Sequence, residues 1–365
     1  LRDWSSDVCS SDLSHFVLNN RSMQIHMLKG SDSMNKPRIP AVFEIIRENI
    51  IKHNNPLSLK TKETSVWVKD LSLPTEGDIL FYTGGEYQLL PYMDSLVKTM
   101  EFVDTSSTAF SALMKTRKLV NKLGISSEKI YASLLAKDKE RYFSINYKAA
   151  YILKKLGYSI FYNKDADLYS GALLFELGFW NDLKEYAVKV VESIKRTGAK
   201  RIVCLSPHAG EMFKIVYPKI TDFPEIEVKT FIELVWEKRD LLPPVQFEYP
   251  VVIHDSCRMA RELGIIEEYR DILDAVGIKY VEAYRNKKWT TCCGGPNKML
   301  FAEISKIVAS RRVAELEETG AKKALISCPY CLSALENGLG NNNASIELED
   351  IVEFLFRGYE GACKI

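Results

Sequence analysis

Thr319-Gly320-Ala321-Lys322-Lys323-Ala324-Leu325-Ile326-Ser327-Cys328-Pro329-Tyr330-Cys331 (TGAKKALISCPYC) decides the fold, because the chain has already spelled a version of it at 197–209, TGAKRIVCLSPHA. The two stretches are 122 residues apart. In each, a Thr-Gly pair suited to closing a helix leads into an apolar run of strand length, and a proline follows where the strand ends. The same order of elements surrounds both. Before the second copy, Val251-Val252-Ile253 and the segment from Ile278 to Val281 read as strands, Cys292-Cys293-Gly294-Gly295 as a turn, and Ala302 to Glu318 as a helix. Before the first, Asp78 to Tyr82 and Tyr158 to Tyr162 read as strands and Tyr169-Ser170-Gly171 as a turn. Leu183, Tyr186, Ala187, Val190, Val191 and Ile194 then mark one face of a helix. This internal duplication predicts an α/β fold of two repeats, each a small, mainly parallel sheet flanked by helices.

Further outward, Val42, Ile45, Ile46, Asn49 and Ile50 have the spacing of an amphipathic helix that ends before Asn54-Asn55-Pro56, an N-terminal helical extension. The expected division is 34–75 for this helix and its linker, 76–243 for the first repeat, and 244–365 for the second, with Pro243-Pro244 at the join. A helical insertion is expected at 93–145, from the period of Leu113, Leu119, Leu123 and Leu134-Leu135. Residues 1–13 (LRDWSSDVCSSDL) carry no helical or strand period and read as a translated sequencing adapter; they are set aside together with Cys9. Met23, Met27 and Met34 are candidate starts.

Five of the eight cysteines fall in one pattern: Cys257, then 34 residues, Cys292-Cys293, another 34 residues, and Cys328-x-x-Cys331. An adjacent pair and a C-x-x-C pair offer four thiolates that short loops can bring to one point, with a fifth from the end of a preceding strand. That donor set suits iron-sulfur clusters or zinc. Adjacent cysteines in an odd-numbered set argue against disulfides. Of the remainder, Cys204 lies in an apolar strand and reads as a small buried hydrophobe, and Cys363 as incidental. Free N–H groups around Gly294-Gly295-Pro296 favour thiolate, and Pro329 limits the loop so that Cys328 and Cys331 chelate together. His254 and Asp255 precede Cys257 at a strand end; they are weak candidates for cluster tuning or proton handling, against the commoner role of capping a turn.

Composition narrows the class. The 365 residues hold 49 basic and 48 acidic side chains, so no net field draws nucleic acid or an anionic membrane. No apolar run approaches the roughly 18 residues a spanning helix needs. Mixed runs such as Lys137-Asp138-Lys139-Glu140-Arg141 read as solvated helix surface. No G-x-G-x-x-G opens a helix after a strand, so a flavin or nicotinamide site is not expected.

Cys257, Cys292-Cys293-Gly294 and Cys328-Pro329-Tyr330-Cys331 resemble the CCG cysteine-rich domain, found in the catalytic B and D subunits of heterodisulfide reductase. Related iron-sulfur subunits occur in glycolate, lactate and glycerol-3-phosphate dehydrogenases and in an archaeal type of succinate dehydrogenase. The similarity runs from about residue 37 to the C-terminus. It implies that Cys257, Cys292, Cys293, Cys328 and Cys331 hold a [4Fe-4S] cluster of an open, non-cubane kind, although zinc has also been associated with such domains. It further implies a cytoplasmic oxidoreductase subunit that works with a ferredoxin-like iron-sulfur subunit, a flavoprotein subunit or both, associating with a membrane only through partners. No C-x-x-C-x-x-C run precedes the linker, so that cubane module is expected on a separate subunit, the preferred reading, or on an end lost by truncation.

The first repeat departs from the family pattern. Gly85 stands where the second repeat has Cys257, Tyr169-Ser170-Gly171 where it has Cys292-Cys293-Gly294, and Ser206-Pro207-His208-Ala209 where it has the C-x-x-C. Every ligand of the first motif is missing while the turn-forming glycine and proline remain. His208, at the tip of this vacant site, could face a substrate or a bound cluster across the repeat interface, but the preferred reading is a solvated or merely packed imidazole. The methanogen enzymes are implied to split a disulfide between two such clusters, so a single motif favours an electron-transfer or sulfur-handling subunit. Two other readings stay open: a zinc-binding interaction subunit without redox activity, and a catalytic heterodisulfide reductase subunit using one cluster.

Overall fold

The computed structural model describes residues 41–101, 138–295, 298, 301–342 and 345–360. The segment 1–13, the candidate starts, the leucines between 113 and 135, Pro296 and Cys363 lie outside the described residues. Two four-stranded sheets carry the chain. The first has β1 (Ile79–Tyr82), β2 (Ile160–Phe161), β3 (Arg201–Cys204) and β4 (Glu227–Thr230) in the order β2-β1-β3-β4. The second has β5 (Val251–His254), β6 (Tyr280–Val281), β7 (Lys323–Ile326) and β8 (Glu347–Asp350) in the order β6-β5-β7-β8. The pairings within both sheets are parallel, and the register repeats: Ile79 faces Arg201 as Val251 faces Lys323, and Arg201 faces Glu227 as Lys323 faces Glu347.

Helices fill the connections, as parallel strands require. They are α1 (Ala41–His53), α2 (Glu86–Glu101), α3 (Lys139–Lys155), α4 (Trp180–Lys195), α5 (Pro207–Glu211) and α6 (Phe231–Glu237), then α7 (Glu267–Ala275), α8 (Ala302–Glu317), α9 (Pro329–Asn342) and α10 (Ile351–Glu360). Val42, Ile46 and Ile50 of α1 and the expected face of α4 are buried. The helix α2 already begins at Glu86, ahead of the expected insertion start at 93.

Apolar patterning marks three strands per repeat, and the structure adds a fourth to each. Glu227-Val228-Lys229-Thr230 and Glu347-Leu348-Glu349-Asp350 are edge strands, buried chiefly at their C-terminal ends, so they show no apolar run. Their signal is the capping box that follows. The Thr230 hydroxyl accepts from the Glu233 N–H at 3.3 Å while Glu233 accepts from the Thr230 N–H at 2.7 Å. The second half varies it: Glu353 accepts from the Asp350 N–H at 3.4 Å, while the Asp350 carboxylate accepts from the Val352 N–H at 2.9 Å. Each cap stands ahead of an apolar stretch, Phe231–Glu237 or Ile351–Glu360.

One apolar core runs from Phe81 and Val203 of the first sheet, through Ile145, Ala149 and Leu153 of α3, to Val252 and Leu325 of the second. Alternate strand residues Leu80, Tyr82 and Ile202 face a second cluster with Leu183, Tyr186 and Val190. At about 1.5–3 kcal/mol for each large side chain fully buried, this shared core holds the halves together far more than any polar contact. The polar ties add geometry: Arg141 reaches Glu336 and Glu353, and the Tyr87 hydroxyl donates to Asp350 at 2.7 Å. Helices α8 and α9 approach so closely that a Cβ on Gly338 would lie 2.7 Å from the Ala309 carbonyl carbon. Those two helices flank the cysteine loops.

Candidate metal centre

In a parallel sheet all strands end on one edge, and the cysteines gather at that edge of the second sheet. Cys257 follows β5 and heads a π-helical turn, Arg258–Glu262. Cys328 follows the neighbouring β7, Pro329 opens α9 where a missing N–H costs nothing, and Cys331 sits on its first turn. Cys292 and Cys293 lie on the loop before α8. Gly294 turns that loop at φ +82°, and a Cβ there would lie 2.7 Å from the Ser305 carbonyl oxygen, so only glycine fits. The N–H groups of Gly294 and Gly295 donate to the sulfurs of Cys292 and Cys293, both at 3.4 Å.

Asp255 and Arg312 hold this loop in place. The Asp255 carboxylate takes two hydrogen bonds from Arg270, at 2.6 and 3.0 Å, and a third from the Lys287 N–H at 2.7 Å. Its carbonyl accepts from the Thr290 hydroxyl at 2.8 Å. Arg312, wholly buried, donates to the Arg285 carbonyl, the Thr290 hydroxyl and Nδ1 of His254, the last at 3.1 Å. The carboxylate of Asp255 is thus bound to a guanidinium and a loop backbone.

The thiols touch one another in a line. Hydrogen bonds from Cys292 and Cys331 hold the Cys293 thiol down at about 5 despite burial. Burial opposes ionisation of Cys328, yet a hydrogen bond from Cys331 and the nearby His208 charge bring it well below the ordinary thiol range. Cys331, donating to both Cys293 and Cys328, is pushed up correspondingly. A ring nitrogen of His254 and the sulfurs of Cys293 and Cys331 all lie within 4.8 Å of one another. Burial, and then the Arg312 charge, lower the His254 pKa to about 3, and its Nε2 has no hydrogen-bond partner. Two thiolate-prone sulfurs, a shared thiol and an orphaned imidazole nitrogen fit a soft metal ion or an iron-sulfur cluster. Cys292 alone among these five cysteines is half-buried.

His208 takes the less favoured of its two sequence readings and faces the other repeat's cysteines. It is buried, with Nδ1 3.8 Å from the Cys328 sulfur and Nε2 3.4 Å from Glu176. Its ring lies 4.3 Å from that of Tyr330, whose hydroxyl is 3.4 Å from the Tyr169 hydroxyl. Burial and Arg258 oppose its protonation, but Cys328 and Glu176 prevail and raise its pKa to about 9. Arg258, next to Cys257, pairs with Glu176 and Glu211 of the first half. The first repeat therefore walls the second repeat's cysteines with charge.

The vacant site is filled as well. Glu86, beside Gly85, is buried and accepts from the hydroxyls of Ser170 and Ser206. These serines stand where the second half has Cys293 and Cys328. Burial raises the Glu86 pKa, while nearby His208 and the two hydroxyls act against that. Ser206 also caps α5, accepting from the N–H groups of His208 and Ala209. The motif itself pointed to Tyr330. Nothing in the local pattern pointed to Glu86, Arg258 or Arg312, which matter only once distant elements meet.

A sheet edge of this kind, lined by one single, one double and one C-x-x-C set of cysteines, defines a cysteine-rich module whose donor set suits a metal centre. Residues 251–336 match the family model of the cysteine-rich domain designated CCG. The chain is homologous to the D subunit of the dihydromethanophenazine:CoB–CoM heterodisulfide reductase of Methanosarcina acetivorans, 28% identical over 211 residues, which are 55% of this chain and 52% of that protein. It is 26% identical over 326 residues to the protein named probable iron-sulfur-binding oxidoreductase FadF of Bacillus subtilis, covering 86% of this chain and 40% of that one. To the EtfAB:quinone oxidoreductase of Syntrophomonas wolfei it is 25% identical over 244 residues, 63% of this chain and 34% of the relative. The chain thus spans about half or less of the length of these relatives. No described helix is long and apolar enough to cross a membrane.

Proposed function

We infer that the chain is an iron-sulfur subunit of a cytoplasmic oxidoreductase resembling heterodisulfide reductase, passing electrons to or from a disulfide, a thiol or a quinone. Residues 244–365 are the working repeat and 76–243 its partner wall. The observation that carries this reading is the line of sulfur contacts Cys292, Cys293, Cys331, Cys328 at the sheet edge, with two of its thiols drawn toward thiolate. Cys257, at the end of the adjacent strand, completes the ligand set. A cluster bound there supplies one-electron redox chemistry. The protein's own contribution is to donate N–H groups from Gly294 and Gly295, to exclude water with Tyr330 and Tyr169, and to place His208 and Arg258 as positive charge beside the sulfurs. A ferredoxin-like or flavoprotein subunit is the expected electron partner.

A zinc-stabilised interaction subunit is the second reading, favoured by the close sulfurs of Cys293 and Cys331 and the C-x-x-C spacing of Cys328 and Cys331. Metal analysis separates the two. Protein purified without oxygen is expected to hold about four irons and four acid-labile sulfides per chain and to give an EPR signal when oxidised. About one zinc and no sulfide, in protein shown not to have lost a cluster, sinks the redox reading. A catalytic role on sulfur is recognised by an EPR signal that a small organic disulfide perturbs.

A further inference from the structure

The orphaned nitrogen of His254 has a fixed identity. Arg312 has donors only, so the Nδ1 that receives its N–H at 3.1 Å is the unprotonated ring nitrogen, and the proton of the neutral ring sits on Nε2. Arg312 cannot yield, because it is wholly buried and its other nitrogens are engaged by the Arg285 carbonyl, Thr290 and Glu315. The usual metal-binding histidine is the reverse case: its second nitrogen donates to a carboxylate or carbonyl, which leaves the first free to bind metal. For His254 to bind metal through Nε2, either the ring would lose its last proton or Arg312 would leave. Nε2 meanwhile has no partner, the ring is almost completely buried, and a ring nitrogen of His254 lies within 4.8 Å of the sulfurs of Cys293 and Cys331. A buried N–H without an acceptor is costly, and a negatively charged sulfur on the Cys293 and Cys331 side would satisfy it.

We propose that His254 is a positioning and tuning residue outside the ligand set, held by Arg312 so that its Nε2–H donates a hydrogen bond to sulfur of the centre on its Cys293 and Cys331 side. This rests on the iron-sulfur reading above. A donor fixed in that direction stabilises the more negatively charged, reduced state and so raises the reduction potential. Asp255 does not supply this bond, since its carboxylate is bound to Arg270 and the Lys287 N–H.

The test compares wild type, His254→Leu and His254→Gln, the last keeping an amide N–H, as full chains purified without oxygen. Iron and sulfide are measured first. Both variants are expected to keep them, and His254→Leu to shift the reduction equilibrium about tenfold toward the oxidised state, about 59 mV lower for one electron, with His254→Gln recovering part of the shift. Should the leucine variant fail to fold, wild-type protein with 15N-labelled histidine, read by pulsed EPR, decides the matter: weak nitrogen coupling with an exchangeable proton supports a donor. Strong coupling of a directly bound nitrogen overturns the proposal, as does an unchanged potential in a fully loaded leucine variant. Zinc without sulfide in the wild type removes the parent reading and this proposal with it, so the two failures are distinct.

Discussion

The two sheet edges are the same backbone carrying opposite chemistry. Gly171 turns at φ +77° and Gly294 at +82°, and Pro207 and Pro329 each open a helix after the third strand of their half. At one edge Glu86 gathers Ser170 and Ser206 in hard oxygen contacts; at the other, four cysteines gather in sulfur contacts. The difference teaches that the ligands are separable from the scaffold. Where the first edge lacks soft donors, the buried carboxylate of Glu86 ties the loops together.

The sharpest way to break that comparison is to exchange equivalent residues. Cys328→Ser copies the first half and is expected to abolish bound metal, whereas Ser206→Ala leaves metal content unchanged and costs about 1–2 kcal/mol through its lost cap; metal analysis and denaturant unfolding read the two outcomes. A Ser206→Ala variant without metal would mean that the first site takes part in binding.

The helix caps that follow the fourth strands differ in charge, Thr230 against Asp350. Burial and the neighbouring Glu353 raise Asp350 to about 7, even though Tyr87 donates to it. The folded state therefore binds this proton more tightly than the unfolded chain does. The resulting stability, up to about 4 kcal/mol, is complete below about pH 4 and is lost as pH rises toward 7. Asp350→Thr, copying the first half, should flatten the stability profile across that window, as measured by unfolding at stepped pH; an unaltered slope would assign the effect elsewhere.

Glu86→Ala is expected to cost about 3 kcal/mol by leaving two buried hydroxyls without an acceptor and a void between them, with metal content preserved. Loss of metal with the fold intact would show the two sites to be coupled. The smallest effect distinguishes the glycines. Gly294→Ala meets a backbone oxygen at 2.7 Å, while Gly171→Ala meets side chains at 3.2 Å or more, so the former should cost about 2–3 kcal/mol and the latter about 1. Equal losses in thermal unfolding would mean that φ alone sets the price.

Much of the second half is legible in the sequence because apolar strands and a spaced cysteine pattern are local signals. Val251–His254 and Lys323–Ile326 are buried along their whole length and announce themselves. The edge strands Glu227–Thr230 and Glu347–Asp350 do not, since only sheet pairing makes them strands. His208 escapes its preferred sequence reading for a related reason. Its local sequence says helix start, and only the packing of one half on the other carries it to Cys328.

That contact has an evolutionary consequence. A copy without the cysteines would ordinarily be free to diverge, but here His208, Glu176 and Glu211 pack against the neighbour's cysteine loops, and Phe81 and Val203 lie in the core shared with the neighbour. Selection on the surviving copy therefore reaches the silent one through every residue at their boundary. The ancestral duplication persists as a dependency.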